Sequence, residues 1–207
     1  MIKTKTLFLA LFLIVVSLGN TNTASAGLID PAAENSGCCN GLIRGYWFEA
    51  PTAFTMDSVW LNTLAGLSTS YRLEILLLNA TPPEWSGSTT DFITLASFSN
   101  LSGVFNVNFN FAANNLIGIL AWDNNLSSTP YSTAFSQNIE GSPVTLTRFL
   151  RQSLTTGGPV SSEAGGPIGA IGFSYNSAVT PPVAVPAPAT ILILGIGLLG
   201  LSLRRKA

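Results

Sequence analysis

Two adjacent cysteines, a scatter of carboxylates and four tryptophans are the side chains of this 207-residue sequence that could do chemistry. Histidine is absent, which removes Ser-His-Asp and Cys-His catalysis and imidazole metal sites together. Cys38 and Cys39 are the only cysteines, too few for a four-ligand zinc site. Side by side they can close a vicinal disulfide ring, bridge two molecules, or stay as thiols. Such a ring distorts its peptide, and the nearby Gly37 and Gly41 can absorb that strain. Outside the cytoplasm, where oxidation is expected, the vicinal ring is therefore favoured. A redox-active role is disfavoured, because catalytic pairs usually place two residues between their sulfurs.

The carboxylates offer a glycosidase pair in principle. Glu74 alternates within an apolar run, Glu84 sits beside Trp85 in a turn, and Asp91 precedes a strand. Their spacing does not require any two to meet, and isolated acids usually remain solvated. No catalytic residue is assigned, and the expectation is a protein without enzymatic activity, with a glycan-active enzyme as the weaker alternative. Asp123-Asn124-Asn125 could offer oxygen ligands to calcium, but one carboxylate with two amides is a poor set. A tight turn explains the same residues. Neither a metal nor a cofactor is expected.

Aromatic side chains on an exported protein can stack on sugar faces. Trp85, in Pro82-Pro83-Glu84-Trp85-Ser86-Gly87, is the first candidate for glycan binding, and Trp122, before Asp123, the second. The competing role for all four tryptophans is core packing, since aromatics dominate the energetics of β cores.

The elements that must position these residues are strands. Over 103–111, Phe105, Val107, Phe109 and Phe111 alternate with Asn106, Asn108 and Asn110, a period of two with one face packed and one wet. The stretch 71–78 begins in the same way and ends apolar on both faces, as a central strand would. Further strands are expected over 43–48, 59–61, 92–98, 116–122, 145–150 and 168–175. Clusters such as Thr81-Pro82-Pro83, Gly157-Gly158-Pro159 and Gly165-Gly166-Pro167 punctuate them. A helical stripe is lacking over 27–180, so the expectation there is an all-β, antiparallel β-sandwich, a jelly roll being one form of it.

The composition is sparse in charge. Only 9% of residues are charged, against roughly 25% in an average soluble protein. Between 27 and 182, four arginines face ten acids, a net charge of −6, and lysine is absent. With no basic run in this region, nucleic-acid binding is not expected.

Both ends read as addresses. Lys3 and Lys5 precede an apolar run over 7–18 and the small-x-small site Ala24-Ser25-Ala26, the three parts of a secretory signal. Twelve helical residues span about 18 Å, short of a hydrocarbon core of ~30 Å. Cleavage by signal peptidase is expected after Ala26, leaving Gly27 first. At the other end, a Pro-rich linker over 181–188 precedes 15 apolar or small residues over 189–203 and the basic cluster Arg204-Arg205-Lys206 in 204–207. That order predicts a transmembrane helix whose basic end stays cytoplasmic.

Val185-Pro186-Ala187-Pro188, the apolar helix and the basic cluster together resemble the PEP-CTERM sorting tail of exported proteins from Gram-negative bacteria. The resemblance implies recognition by exosortase, an intramembrane transpeptidase-like enzyme, and a setting at the cell surface or in extracellular polysaccharide. One position departs from the pattern: the central acidic residue of the family is Ala187 here. The segment 44–54, Arg-Gly-Tyr-Trp-Phe-Glu-Ala-Pro-Thr-Ala-Phe, also resembles openings of exported β-sandwich proteins that carry this tail. It implies a fold and no particular activity. Matrix structure or adhesion is the expected role, with a carbohydrate-binding module as the alternative.

Overall fold

A computed structural model describes residues 26–38 and 40–177, excluding the Cys38 side chain. The expected signal helix, Pro-rich linker, transmembrane helix and basic tail lie outside the described residues. Every described element is a strand, and every pairing between named strands is antiparallel. Among the described residues no helix is long and apolar enough to cross a membrane.

In chain order the strands begin with β1 (Ala26–Ile29), β2 (Asn35–Cys38), β3 (Ile43–Glu49), β4 (Phe54–Thr63), β5 (Gly66–Leu67) and β6 (Tyr71–Leu78). They continue with β7 (Phe92–Leu101), β8 (Phe105–Phe111), β9 (Leu116–Asp123), β10 (Thr129–Ser132) and β11 (Ser136–Ile139). The last are β12 (Ser142–Thr145), β13 (Thr147–Arg151), β14 (Ser161–Glu163), β15 (Ile168–Gly169) and β16 (Ile171–Ser177).

Two large sheets result. One has the order β14-β13-β3-β9-β6-β7; the other runs β1-β16-β4, with β8 and the short β5 both pairing with β4. A three-stranded sheet, β15-β10-β2, and the hairpin β11-β12 complete the fold. Alternation explains the core. Tyr46 and Phe48 of β3, Leu73 and Ile75 of β6, and Ile117 and Ile119 of β9 join Phe54, Met56, Val59, Ile171 and Phe173 of the second sheet in one buried cluster. The Phe173 ring stacks on Phe48 at 5.8 Å and on Phe54 at 6.0 Å, which ties the two sheets together. The Tyr46 hydroxyl donates across the same interior to the Ile171 carbonyl, at 2.8 Å. Burial pushes Tyr46 well above its usual pKa and Tyr71 up to about 12, so both rings stay neutral where they lie.

The opposite residues of the six-stranded sheet are also covered. Ile43, Leu76, Leu78, Leu120, Trp122 and Phe149 form a second cluster with Val160 and Leu154. This is why β6 and β9 read as apolar on both faces. Gly118 is required here: a side chain would meet the Phe149 ring at 2.7 Å.

Several expected strands have different limits. The strand expected over 59–61 extends back to Phe54; against β16 an extra residue between Met56 and Ser58 bulges β4 and shifts the inward parity from Phe54 and Met56 to Val59 and Leu61. The strand expected over 145–150 is interrupted at Leu146, whose N–H bonds the Phe135 carbonyl. The strand expected over 168–175 divides at Ala170: β15 pairs with β10, whereas β16 pairs with β4.

Candidate functional site

The covered face of the six-stranded sheet holds most of the unusual chemistry. Glu74 of β6 and Arg151 of β13 share an ion pair at 2.7 Å, with side chains only 5% and 1% exposed. Arg151 Nε also donates to the Gly158 carbonyl at 2.9 Å, and Arg44 Nη1 donates to the Arg151 carbonyl at 3.1 Å. Glu74 Oε2 and Arg151 Nη2 have no hydrogen-bond partner. A small cavity of about 140 Å³ lies beside them, lined by Arg72, Glu74, Ser97 and Thr156 among others. The pair pins the segment 152–160 to the sheet.

That segment meets the connection 79–91 between β6 and β7. Val160 and Thr89 exchange backbone bonds at 2.9 Å. Trp85 N–H donates to the Ser162 carbonyl, and Ser162 N–H to the Pro83 carbonyl, both at 2.8 Å. Glu84 then accepts from Ser162 Oγ at 3.2 Å and from the Ala164 N–H at 3.0 Å. The backbone under Trp85 is therefore clamped, while the residue is 53% exposed. Next to it Ser86 takes φ 93, a left-handed conformation uncommon for residues other than glycine. A groove of about 400 Å³ runs beside the indole, where Ser86, Ser88, Gln152, Ser153 and Ser161 supply neutral polar groups. An exposed, fixed aromatic beside uncharged donors and acceptors is an arrangement that can stack on a sugar ring and bond its hydroxyls.

The other expected site residues have different surroundings. Trp122 is buried, 5% exposed, within the second cluster and offers no face for stacking; it takes the core alternative. Asp91 accepts from Asn79 Nδ2 at 2.6 Å. Asp123 Oδ1 accepts the Leu126 N–H at 2.7 Å, Asn124 donates to Ser70, and Asn125 donates to Thr69, so this run closes a turn. Among the described residues no group of three His, Cys, Asp or Glu side chains could hold a metal ion. Gly27 pairs with Tyr175 in β1, and any side chain there would strike the Tyr175 ring. Ala26, also in β1, is exposed. Ala24, Cys39, the Cys38 side chain and the sorting residues from Val185 onward lie outside the described residues.

Sequence reasoning missed Gln152, Ser153 and Ser161 as neighbours of Trp85. They are some seventy residues away in sequence, and only the pairing of 79–91 with 160–162 unites them. The turn at Gly157-Gly158-Pro159 was the available signal. Charge is distributed unevenly. Arg44 and Arg151 are buried, and Arg148 is paired with Glu163 at 2.9 Å and lies over the Tyr131 ring. Burial pulls Arg44 below the usual arginine pKa, an effect countered by Tyr131. Among the described residues this leaves Arg72 as the exposed cation on an acidic surface.

The described body is that of an all-β protein with antiparallel sheets. The family model of the PEP-CTERM protein-sorting motif matches residues 184–206. The chain thus carries a PEP-CTERM tail, which implies an exported, membrane-passing precursor processed by exosortase. No curated protein and no solved structure matches the chain.

Proposed function

We propose that this chain is a non-enzymatic protein of the cell surface or extracellular matrix, with a structural or adhesive role in exopolysaccharide. The single observation that carries the reading is the sorting motif at 184–206. In this reading signal peptidase removes 1–26, the C-terminal helix holds the precursor in the membrane, and exosortase then acts on the tail. The body between is a β-sandwich, a reading supported by the core that both large sheets share. Its acidic surface, rich in amide and hydroxyl groups, would keep it soluble and hydrated.

The test is the intact mass of the protein from its native host, with and without a working exosortase. Loss of mass corresponding to everything from about Ala187 onward, seen only with the enzyme, is expected. A mass ending at Ala207 in both strains would overturn exosortase processing.

A second reading, glycan binding, rests on the clamped and exposed Trp85 and its polar groove. Removing the indole should abolish sugar stacking yet leave packing intact. Trp85→Ala is expected to lose retardation in gels containing host exopolysaccharide and to change stability by less than about 0.5 kcal/mol. Equal retardation of both proteins, or none of the parent, would reject this reading.

A further inference from the structure

We infer that the groove beside Trp85 takes an uncharged glycan, bound by ring stacking and hydroxyl bonds and not by charge. The inference rests on the glycan-binding reading above and narrows it to one class of sugar chain.

No residue lining the groove is ionisable. Its polar side chains are the hydroxyls of Ser86, Ser88, Ser153 and Ser161 and the amide of Gln152. Two of them are partly used: Ser161 Oγ donates to the Gly87 carbonyl at 2.5 Å, and Ser153 Oγ accepts the Thr155 N–H at 3.3 Å. The side chains of Ser86, Ser88 and Gln152 form no hydrogen bond among the described residues. A hydroxyl and an amide each donate and accept, and a sugar hydroxyl does the same. Donors and acceptors on the two sides can therefore be matched. A carboxylate, sulfate or phosphate would need a cation to offset its lost hydration, and the groove holds none.

The charges around the groove point the same way. Arg151, next to Gln152 in sequence, is buried and bound to Glu74 at 2.7 Å and to the Gly158 carbonyl at 2.9 Å. Arg148 is paired with Glu163 at 2.9 Å, and Arg44 is buried. Arg72 lines a different cavity, with Glu74, Ser97 and Thr156. Glu84, next to Trp85, is an acid whose oxygens accept from Ser162 and from the Ala164 N–H. An acidic chain laid on Trp85 would meet this carboxylate and no free cation, on a body whose residues 27–182 carry −6.

Without charge, affinity has to come from a ring held ready. The Trp85 N–H donates to the Ser162 carbonyl and the Ser162 N–H to the Pro83 carbonyl, both at 2.8 Å. Ser86 stays at φ 93, a conformation that persists only where its surroundings impose it. Little ordering of this turn is then left to be done on binding. The groove, about 400 Å³, is near the lower end of the roughly 300–1,000 Å³ of pockets that hold small organic ligands. That size fits a short stretch of a sugar chain.

The test uses the full chain in detergent and host exopolysaccharide divided by ion exchange into uncharged and acidic fractions, each coupled to beads. Retention on the uncharged fraction is expected, and none on the acidic one. It should change by less than about two-fold between about 0.01 and 1 M salt, although the Debye length falls from about 30 to 3 Å. Gln152→Ala should weaken retention about five-fold, the effect of one lost hydrogen bond. Gln152→Lys places a cation in the groove and should add retention on the acidic fraction that high salt removes. Gln152 is exposed, so both variants should keep the cooperative melt of the parent. Retention of the parent on the acidic fraction, with release by salt, would overturn the proposal and leave glycan binding standing. Retention on neither fraction would overturn both. Retention unaltered by Trp85→Ala would also overturn both, since the site would then lie elsewhere.

Discussion

Replacing Arg151 with methionine is expected to lower the unfolding free energy by about 3–5 kcal/mol, the usual cost of breaking a buried ion pair from one side. The change leaves the Glu74 carboxylate in an apolar cluster without its cation, 2.7 Å away in the native protein. It also removes the donor to the Gly158 carbonyl, so the segment 152–160 loses its anchor. The Arg44 contact survives, because it uses the Arg151 backbone oxygen. Glu74→Leu combined with Arg151→Met should recover most of the loss, since no charge is then buried alone. Urea unfolding of the four proteins of this cycle measures it. Equal stability of Arg151→Met and the parent would show that the pair carries no structural weight. The single variant should also loosen the Trp85 groove, because Gln152, Ser153 and Pro159 line it.

The second large effect concerns the tail. Neutralising Arg204, Arg205 and Lys206 together with glutamine is expected to abolish accumulation of a correctly oriented precursor. In the function proposed above, the basic cluster would hold the end of the apolar segment on the cytoplasmic side. Pulse-chase labelling with fractionation should then show no exosortase-dependent product. The converse change is Ala187→Glu, which supplies the acidic group that this sequence lacks in the sorting box. It should speed tail removal several-fold. Unchanged processing in both variants would mean that neither charge feature is read. The matched range, 184–206, contains all four positions.

Much of the fold was legible because alternation in a strand is a local property. Strand β8 showed it fully: Phe105, Val107 and Phe109 are half-buried, and the three asparagines are exposed. Strand β6 was recognised as central from its apolar second half, and the structure covers both faces. Where alternation failed, a backbone irregularity was the cause. The bulge of β4 against β16 reverses parity between Met56 and Val59, so a period of two sees two fragments instead of ten residues. Ala170 divides an otherwise continuous apolar run between two sheets, a choice made by its partners β10 and β4. Short strands such as β2, β10 and β14 have too few residues to display a period.

The candidate site was less legible. Trp85 and Trp122 both precede polar turn residues, yet one is exposed and the other buried. Trp122 shares the second cluster with Leu154 and Val160 of the segment 152–160, whereas the backbone bonds between 83–89 and 160–162 hold the exposed Trp85 in place. Glu74 appeared to be a solvated acid; its partner lies 77 residues away.

By itself the sequence determined the β character of the body and the sorting tail. Both are written in contiguous residues: a period of two, a proline box, an apolar run and a basic cluster. Tertiary structure alone decided which carboxylate is buried with a cation and which tryptophan faces water. Those outcomes depend on contacts between distant segments, where burial and pairing are settled by the whole set of neighbours and not by local pattern.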